Sequence, residues 1–254
     1  MECAIVAEKL TKRFKNITAV SELDLKINKG EIFGLVGPDG AGKTTTLRLL
    51  STAMLPTSGE ARVLGMNTRN AEEKIRDKIG YMPQRFSLYG DLTVEENLRF
   101  FADLYQVTAE ARKKKEIDLL NFTNLTAFVK RKGRELSGGM QKKLALACNL
   151  IHTPTILFLD EPTTGVDPIS RREFWRILYG LSGVTIIVTT PYMDEAERCN
   201  RVGLIREGKL LMCDTPAEIK RKAGAKTLEE AFLNIVECYI TPGCEMGSLS
   251  GKKE

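Results

Sequence analysis

The run Gly37-Pro38-Asp39-Gly40-Ala41-Gly42-Lys43-Thr44-Thr45 constrains this chain more than any other feature. It lies between a short aliphatic run, Glu31 to Val36, and a segment of helical character, Lys43 to Leu50. It therefore reads as strand, glycine-rich turn and helix in succession. Glycines in such a turn let backbone N–H groups close around an anion, and the helix N-terminus adds a favourable dipole. Lys43 supplies a point charge for β and γ phosphates, and Thr44 a hydroxyl oxygen suited to Mg²⁺, a hard ion. The pattern predicts a loop that binds a nucleoside triphosphate through Gly37, Pro38, Asp39, Gly40, Ala41, Gly42, Lys43, Thr44 and Thr45. By itself it does not say to what end.

The rest of the chain continues the alternation. Thr155 to Leu159 and Val184 to Thr189 read as buried strands, Ala4 to Val6 and Leu23 to Ile27 as edge strands, the second ending at a turn over Asn28-Lys29-Gly30. The helix from Lys43 is expected to stop near Pro56 and a turn at Ser58-Gly59. Between about residues 86 and 149 the pattern is helical: Thr93 followed by Glu96 predicts a capping box, and Leu98, Phe101, Leu104 and Tyr105 recur at helical spacing. Thr215 with Glu218, Pro216 standing at the first helical position, and Thr227 with Glu230 predict two further helix starts. Such alternation argues for a largely parallel sheet covered by helices, with a helical subdomain inserted. No internal repeat is visible, and from about Thr241 onward Gly, Ser and Lys predict a tail that does not pack.

Bulk properties narrow the class. With 254 residues, 43% of them hydrophobic, the chain has enough apolar material for one large domain. Its six cysteines are scattered without a CxxC pair and do not cluster with the single histidine, His152, so reduced thiols are expected. No apolar run is long enough to span a bilayer, and no secretory leader pattern stands at the N-terminus, so any membrane role is expected to come through a partner. The net charge of +5 is clustered, for instance at Arg112 to Lys115 and Lys130 to Arg134, but no aromatics interleave with the basic residues. They read as solvated helix faces, and no direct nucleic-acid contact is expected.

Two further motifs bear on chemistry. Ile156-Leu157-Phe158-Leu159-Asp160-Glu161 delivers two carboxylates at the carboxyl end of a buried strand, where ligands sit in open α/β sheets. Asp160 is suited to complete a Mg²⁺ shell and Glu161 to polarise an attacking water as general base. Leu136-Ser137-Gly138-Gly139-Met140-Gln141 precedes a helix with Leu144, Ala147, Cys148 and Ile151 on its apolar face. Ser137 and the N–H groups of Gly138 and Gly139 then stand at a helix N-terminus, a place for a γ-phosphate.

This last motif closely resembles the signature sequence of ATP-binding cassette (ABC) proteins. Its position after one phosphate loop and shortly before the Asp-Glu strand strengthens the likeness. Further positions match in family order across roughly residues 4 to 236. Phe14, with Val20 nearby, resembles the residues that contact adenine; Gln84, in Ile79-Gly80-Tyr81-Met82-Pro83-Gln84, resembles the glutamine that senses Mg²⁺. Gly165-Val166-Asp167-Pro168 resembles the D-loop, which crosses a dimer interface. The resemblance implies an α/β P-loop NTPase fold, an ABC cassette with a RecA-like core, an antiparallel β edge and an inserted helical subdomain. Residues 1–237 would form the domain, with core at about 1–85 and 150–225, insert at about 86–149, a C-terminal helix at about 227–237, and a disordered tail at 238–254.

The resemblance also implies a function. ATP and Mg²⁺ are the expected ligands. Lys43, Gln84 and Glu161 are the expected catalytic residues, and Thr44, Gln84 and Asp160 the metal ligands. ATP held by one cassette would meet Ser137, Gly138, Gly139, Gln141 and Asp167 of a second, in a head-to-tail dimer. The segment Phe86 to Tyr105, the run Asp194 to Cys199 and the terminal Leu228 to Leu233 are similar to cassettes of the ABC-2 type, usually exporter subunits. An integral membrane subunit is the expected further partner, the cytoplasmic face of the plasma membrane the expected location. Phe86 to Tyr89 would line the groove for that subunit's cytoplasmic helix. The chain reads either as a stand-alone subunit or as the first half of a tandem-cassette protein.

One departure from the pattern stands out. Where the family carries a histidine that contacts the γ-phosphate, this chain has Pro191, which offers no donor. A proline is at home at a helix start, with Thr190 as N-cap. His152 lies before the Asp-Glu strand and reads as structural. A cassette that closes on ATP but hydrolyses it poorly, paired with an active one, therefore remains an alternative. A soluble ABC ATPase acting on DNA or ribosomes is a further one, though no heptads and no second phosphate loop appear here.

Overall fold

The computed structural model describes residues 2–85 and 88–241. Phe86, Ser87 and the tail expected beyond Thr241 lie outside the described residues. In chain order the strands and helices are β1 (Cys3–Phe14), β2 (Ile17–Asn28), β3 (Ile32–Val36), α1 (Lys43–Leu50), β4 (Ser58–Val63), β5 (Met66–Asn67), α2 (Glu72–Arg76), β6 (Ile79–Met82), α3 (Val94–Leu104), α4 (Ala109–Phe122), α5 (Gly138–Leu150), β7 (Ile156–Asp160), α6 (Pro168–Tyr179), β8 (Thr185–Thr190), α7 (Met193–Ala196), β9 (Arg201–Arg206), β10 (Lys209–Asp214), α8 (Pro216–Lys222) and α9 (Leu228–Ile240). They divide between two compact units, Met1–Ile75 with Thr185–Glu254, and Arg76–Val184.

In the first unit β3 pairs in parallel with both β8 and β9, so that Val36 lies opposite Thr190 on one side and Leu204 on the other. Every residue of β8 and all but the first of β3 are buried, as expected of strands covered on both faces. A second sheet, ordered β2-β1-β4-β5, is antiparallel throughout. Its first two strands run much further than the expected Ala4 to Val6 and Leu23 to Ile27. Register shifts along β1 and positive φ at Lys9 (45°) and Glu22 (46°) break the two-residue period by which a strand is recognised. Ser58-Gly59 opens β4 instead of closing a turn. The hairpin of β9 and β10 was not anticipated, yet Glu207-Gly208 at its tip, with φ of 49° and 77°, has the geometry of a tight hairpin turn.

In the second unit β6 and β7 pair in parallel from Ile79↔Ile156 to Met82↔Leu159. Helix α5 is buried continuously from Lys143 to Leu150, and α3 and α4 pack against it. The helical insert expected at about 86–149 falls in this unit. Thr93 forms the complete capping box: its hydroxyl accepts from Glu96 N at 3.2 Å, and its own N–H donates to Glu96 Oε2 at 2.7 Å. The other two expected boxes are half-formed. Thr215 and Thr227 cap α8 and α9, but Glu218 turns to Arg221 and Glu230 accepts from Lys226 N. In each case another donor takes the carboxylate.

Helix α9 extends to Ile240, so residues 238–240 are helical and not part of a tail. Cys3, Cys148, Cys199 and Cys213 are free thiols. Among the described residues no helix is long and apolar enough to cross a membrane.

Candidate functional site

The phosphate loop is held entirely within the first unit. It leaves β3 at Val36 and enters α1 at Lys43, as the sequence pattern requires. Lys43 is 4% exposed, and its Nζ donates to the carbonyls of Gly37 (2.8 Å) and Pro38 (3.0 Å). The ammonium thus closes the loop on itself and lies along its inner side. Gly42 has φ 103°, and a Cβ there would meet the Ala19 carbonyl at 2.4 Å; at Gly37 one would meet the Ile205 carbonyl at 2.0 Å. No side chain fits at either place. The turn of the unanticipated hairpin locks the far side: Gly208 N–H donates to Ala41 O at 3.0 Å, and Gly208 O accepts from Ser21 N at 2.8 Å. Asp39 is almost fully exposed, 3.9 Å from Lys43 Nζ.

Phe14, at the end of β1, presents its ring to solvent, with Lys12 Nζ 5.2 Å from the ring centroid. The Val20 side chain, by contrast, is in the core. The Pro191 segment differs from expectation. Helix α7 begins at Met193 with Tyr192 at its N-cap and no side-chain cap, so Thr190 is not the cap and Pro191 is not the helix start. The Thr190 hydroxyl donates instead to Glu195 Oε2 at 2.7 Å and accepts from Tyr192 N at 3.1 Å. Both residues are buried. That hydroxyl is thereby committed within the segment.

The carboxylates belong to the second unit. Asp160 ends β7 and Glu161 follows it, both buried. Glu161 has φ 47°, a left-handed conformation that costs a glutamate about 1–2 kcal/mol and is kept where the surroundings impose it. Its Oε2 accepts from Gln84 Nε2 at 2.7 Å and from Thr164 Oγ1 at 3.4 Å. The loop after β6 and the end of β7 therefore bring Gln84 and Glu161 together. Ser137 is the N-cap of α5, its Oγ accepting from Met140 N at 3.3 Å, and Gly138 and Gly139 form the first turn. Gln141 reaches back to Gly133 O at 3.1 Å, steadying that turn. Asp167 is the N-cap of α6, accepting from Ile169 N (3.0 Å) and Ser170 N (2.9 Å); a hydrogen bond from the Ser170 side chain first, then these backbone bonds, hold its carboxyl below the usual range.

Lys142 makes a contact the motifs do not single out. Its Nζ donates to Gln84 O at 2.7 Å. Burial lowers its pKa, against the opposing pull of Asp160 and Glu161. The sequence carried a signal for it: on a helix, its place next to Gln141 and Lys143 puts three consecutive polar residues on three different faces.

A glycine-closed phosphate loop between strand and helix, and a strand ending in paired carboxylates, define a P-loop nucleotide-binding protein. The chain belongs to the ABC transporter family, whose model matches residues 20–164. It is 45% identical over 92% of its length to the probable multidrug ABC transporter ATP-binding protein YbhF of Escherichia coli (strain K12), and covers 42% of that protein. It thus spans less than half the length of the first curated relatives it matches. The linearmycin resistance ATP-binding protein LnrL of Bacillus subtilis (strain 168) is 36% identical, with 89% of this chain and 76% of that protein covered. Among solved structures, a dimeric post-hydrolysis state of the ATP-binding cassette MJ0796 bound to ADP and Pi is similar with a TM-score of 0.76 and 29% identity, covering 83% of this chain and 98% of that one.

Proposed function

We propose that this chain is the ATP-binding and ATP-hydrolysing cassette of an ABC-2 type exporter. The observation that carries the reading is the buried Lys43 inside a loop whose glycines admit no side chain, together with a base candidate, Glu161, held by Gln84. Lys43, the loop N–H groups and the dipole of α1 bind the ATP phosphates, and Phe14 offers a ring face to adenine. The ammonium exchanges its two loop carbonyls for phosphate oxygens. Thr44 of the first unit and Gln84 and Asp160 of the second would each offer an oxygen donor to Mg²⁺, which when bound would neutralise charge on the β and γ phosphates. Glu161 takes the proton of the attacking water. Ser137, Gly138, Gly139, Gln141 and Asp167 serve the nucleotide of a second cassette, in the same or another chain. An integral membrane subunit is the further partner, at the cytoplasmic face of the plasma membrane, and Tyr89 is part of the surface it contacts. Relatives named as a probable multidrug ABC transporter ATP-binding protein, a linearmycin resistance ATP-binding protein and a Nod factor export ATP-binding protein support the exporter class.

The test pairs two variants. Lys43→Ala is expected to lose tight ATP binding by calorimetry, since a charge-assisted contact of about 1.5–3 kcal/mol disappears. Glu161→Gln is expected to bind ATP, stop turning it over, and accumulate as an ATP-bound dimer in sedimentation. A Glu161→Gln protein that binds Mg·ATP yet stays monomeric at high concentration would count against the sandwich.

A second reading has one observation in its favour. Pro191 supplies no donor and the Thr190 hydroxyl is committed to Glu195, so the segment beside the phosphate loop lacks the family's histidine contact. In that reading the chain closes on ATP and leaves most hydrolysis to a paired cassette.

A further inference from the structure

Two adjacent lysines on α5 have different tasks. Lys143 is buried and forms an ion pair with Glu173 of α6, tying two helices together. Lys142, one position earlier, leaves the helix surface and donates to the backbone carbonyl of Gln84 at 2.7 Å. Gln84 then donates through its side chain to Glu161 Oε2, also at 2.7 Å. All three residues lie in the second unit. The chain of contacts begins on the helix whose first turn is Ser137, Gly138 and Gly139, and it ends on the carboxylate after β7.

Gln84 is exposed and sits outside regular structure, with a long side chain that has several rotamers to choose from. A glutamine so placed holds a carboxylate only if its backbone is held first. Its backbone is held by a hydrogen bond from a charged donor, the stronger kind, aimed at the carbonyl of that same residue. Glu161 needs such support because its left-handed backbone is not self-sustaining.

We propose that Lys142 is a positioning residue: by anchoring the Gln84 carbonyl it holds the Gln84 amide on Glu161, and so ties the placement of Glu161 to helix α5. The proposal rests on the reading of Glu161 as general base. Its consequence is that whatever engages the Ser137 turn at the start of α5 reaches the base of the same chain through Lys142 and Gln84.

The test uses the full chain and three variants, Lys142→Met, Lys142→Arg and Glu161→Gln. Steady-state kcat and KM, ATP affinity by calorimetry, melting temperature, and hydrogen exchange of the segment 79–85 are measured for each. Lys142→Met is expected to lower kcat about tenfold or more while KM and ATP affinity stay within about twofold, the mark of an interaction that serves the reaction and not binding. Exchange in the segment 79–85 rises, the melting temperature holds, and Lys142→Arg, which keeps a charged donor, restores both kcat and protection. Lys142→Met with wild-type turnover or wild-type exchange overturns the proposal, as does a loss that falls equally on affinity or folding and is not rescued by arginine. Turnover that survives in Glu161→Gln would sink the base reading itself, whereas turnover lost there and kept in Lys142→Met overturns the positioning role alone. Should the wild-type chain hydrolyse ATP slowly, the exchange comparison decides.

Discussion

At the scale of single residues, His152 shows how a lone histidine is used structurally. Its ring stacks on Tyr105, with centroids 3.7 Å apart and planes 9° from parallel, and its Nε2 lies 2.9 Å from Ile79 O. Since a carbonyl only accepts, Nε2 carries the proton, and Nδ1 is left buried without a partner. Burial lowers the pKa, with Lys115 acting in the same direction and the Ile79 carbonyl and Asp77 opposing. The folded value therefore lies below that of the unfolded chain. Above the ordinary imidazole value of about 6.5 the contribution to stability is intact, and it is lost as pH falls from there toward the depressed folded value. We expect the urea midpoint to drop between pH 7.5 and 5.5, and His152→Gln to remove part of that drop. An identical pH slope in the variant would show that other groups cause it.

At the scale of elements, the capping box of α3 is the one expected capping box that is fully formed, Glu96 returning its carboxylate to the Thr93 N–H. Thr93→Ala is expected to cost about 1 kcal/mol of unfolding free energy, read from the denaturant midpoint at unchanged slope. Thr215→Ala and Thr227→Ala, where the return bond goes elsewhere, are expected to cost less. Equal losses at all three would mean that the reciprocal bond contributes nothing. The same competition explains Thr190. Its hydroxyl finds Glu195 across the turn before α7 and so is spent inside the segment, not on capping a helix at Pro191.

At the scale of the molecule, each unit carries its own part of the proposed machinery: the phosphate loop with the Pro191 segment in one, Gln84, Ser137, Asp160 and Glu161 in the other. The Pro191 segment decides between the two functional readings. Loss of one preorganised donor to a transferring group typically costs about 2.7–4 kcal/mol. If Pro191 leaves that role vacant, the wild-type chain hydrolyses ATP slowly and Pro191→His raises turnover by at least about tenfold, with ATP affinity little changed. Fast wild-type turnover that the histidine does not alter would show that another group fills the role, and the regulatory reading would fall.

The sequence by itself determined the class of protein and where along the chain its site motifs lie. Gly37 to Thr45, Ser137 to Gln141 and Asp160-Glu161 are contiguous, and their chemistry depends on residue type and local backbone, which neighbours in the chain dictate. The core of β3, β7 and β8 was legible for the same reason, since a strand buried on both faces is aliphatic throughout. What the tertiary structure alone decided is which partner each polar group takes. Bulges hid most of β1 and β2 from a two-residue period, and the Gly208 turn meets Ala41 across more than 160 positions of chain. The hydroxyl of Thr190, the ammonium of Lys142 and the carboxylate of Glu230 each had several donors or acceptors within reach in sequence. The choice was made by what the fold brings within reach, and for the buried Thr190 also because an unpaired polar group inside a fold costs more than any local preference returns.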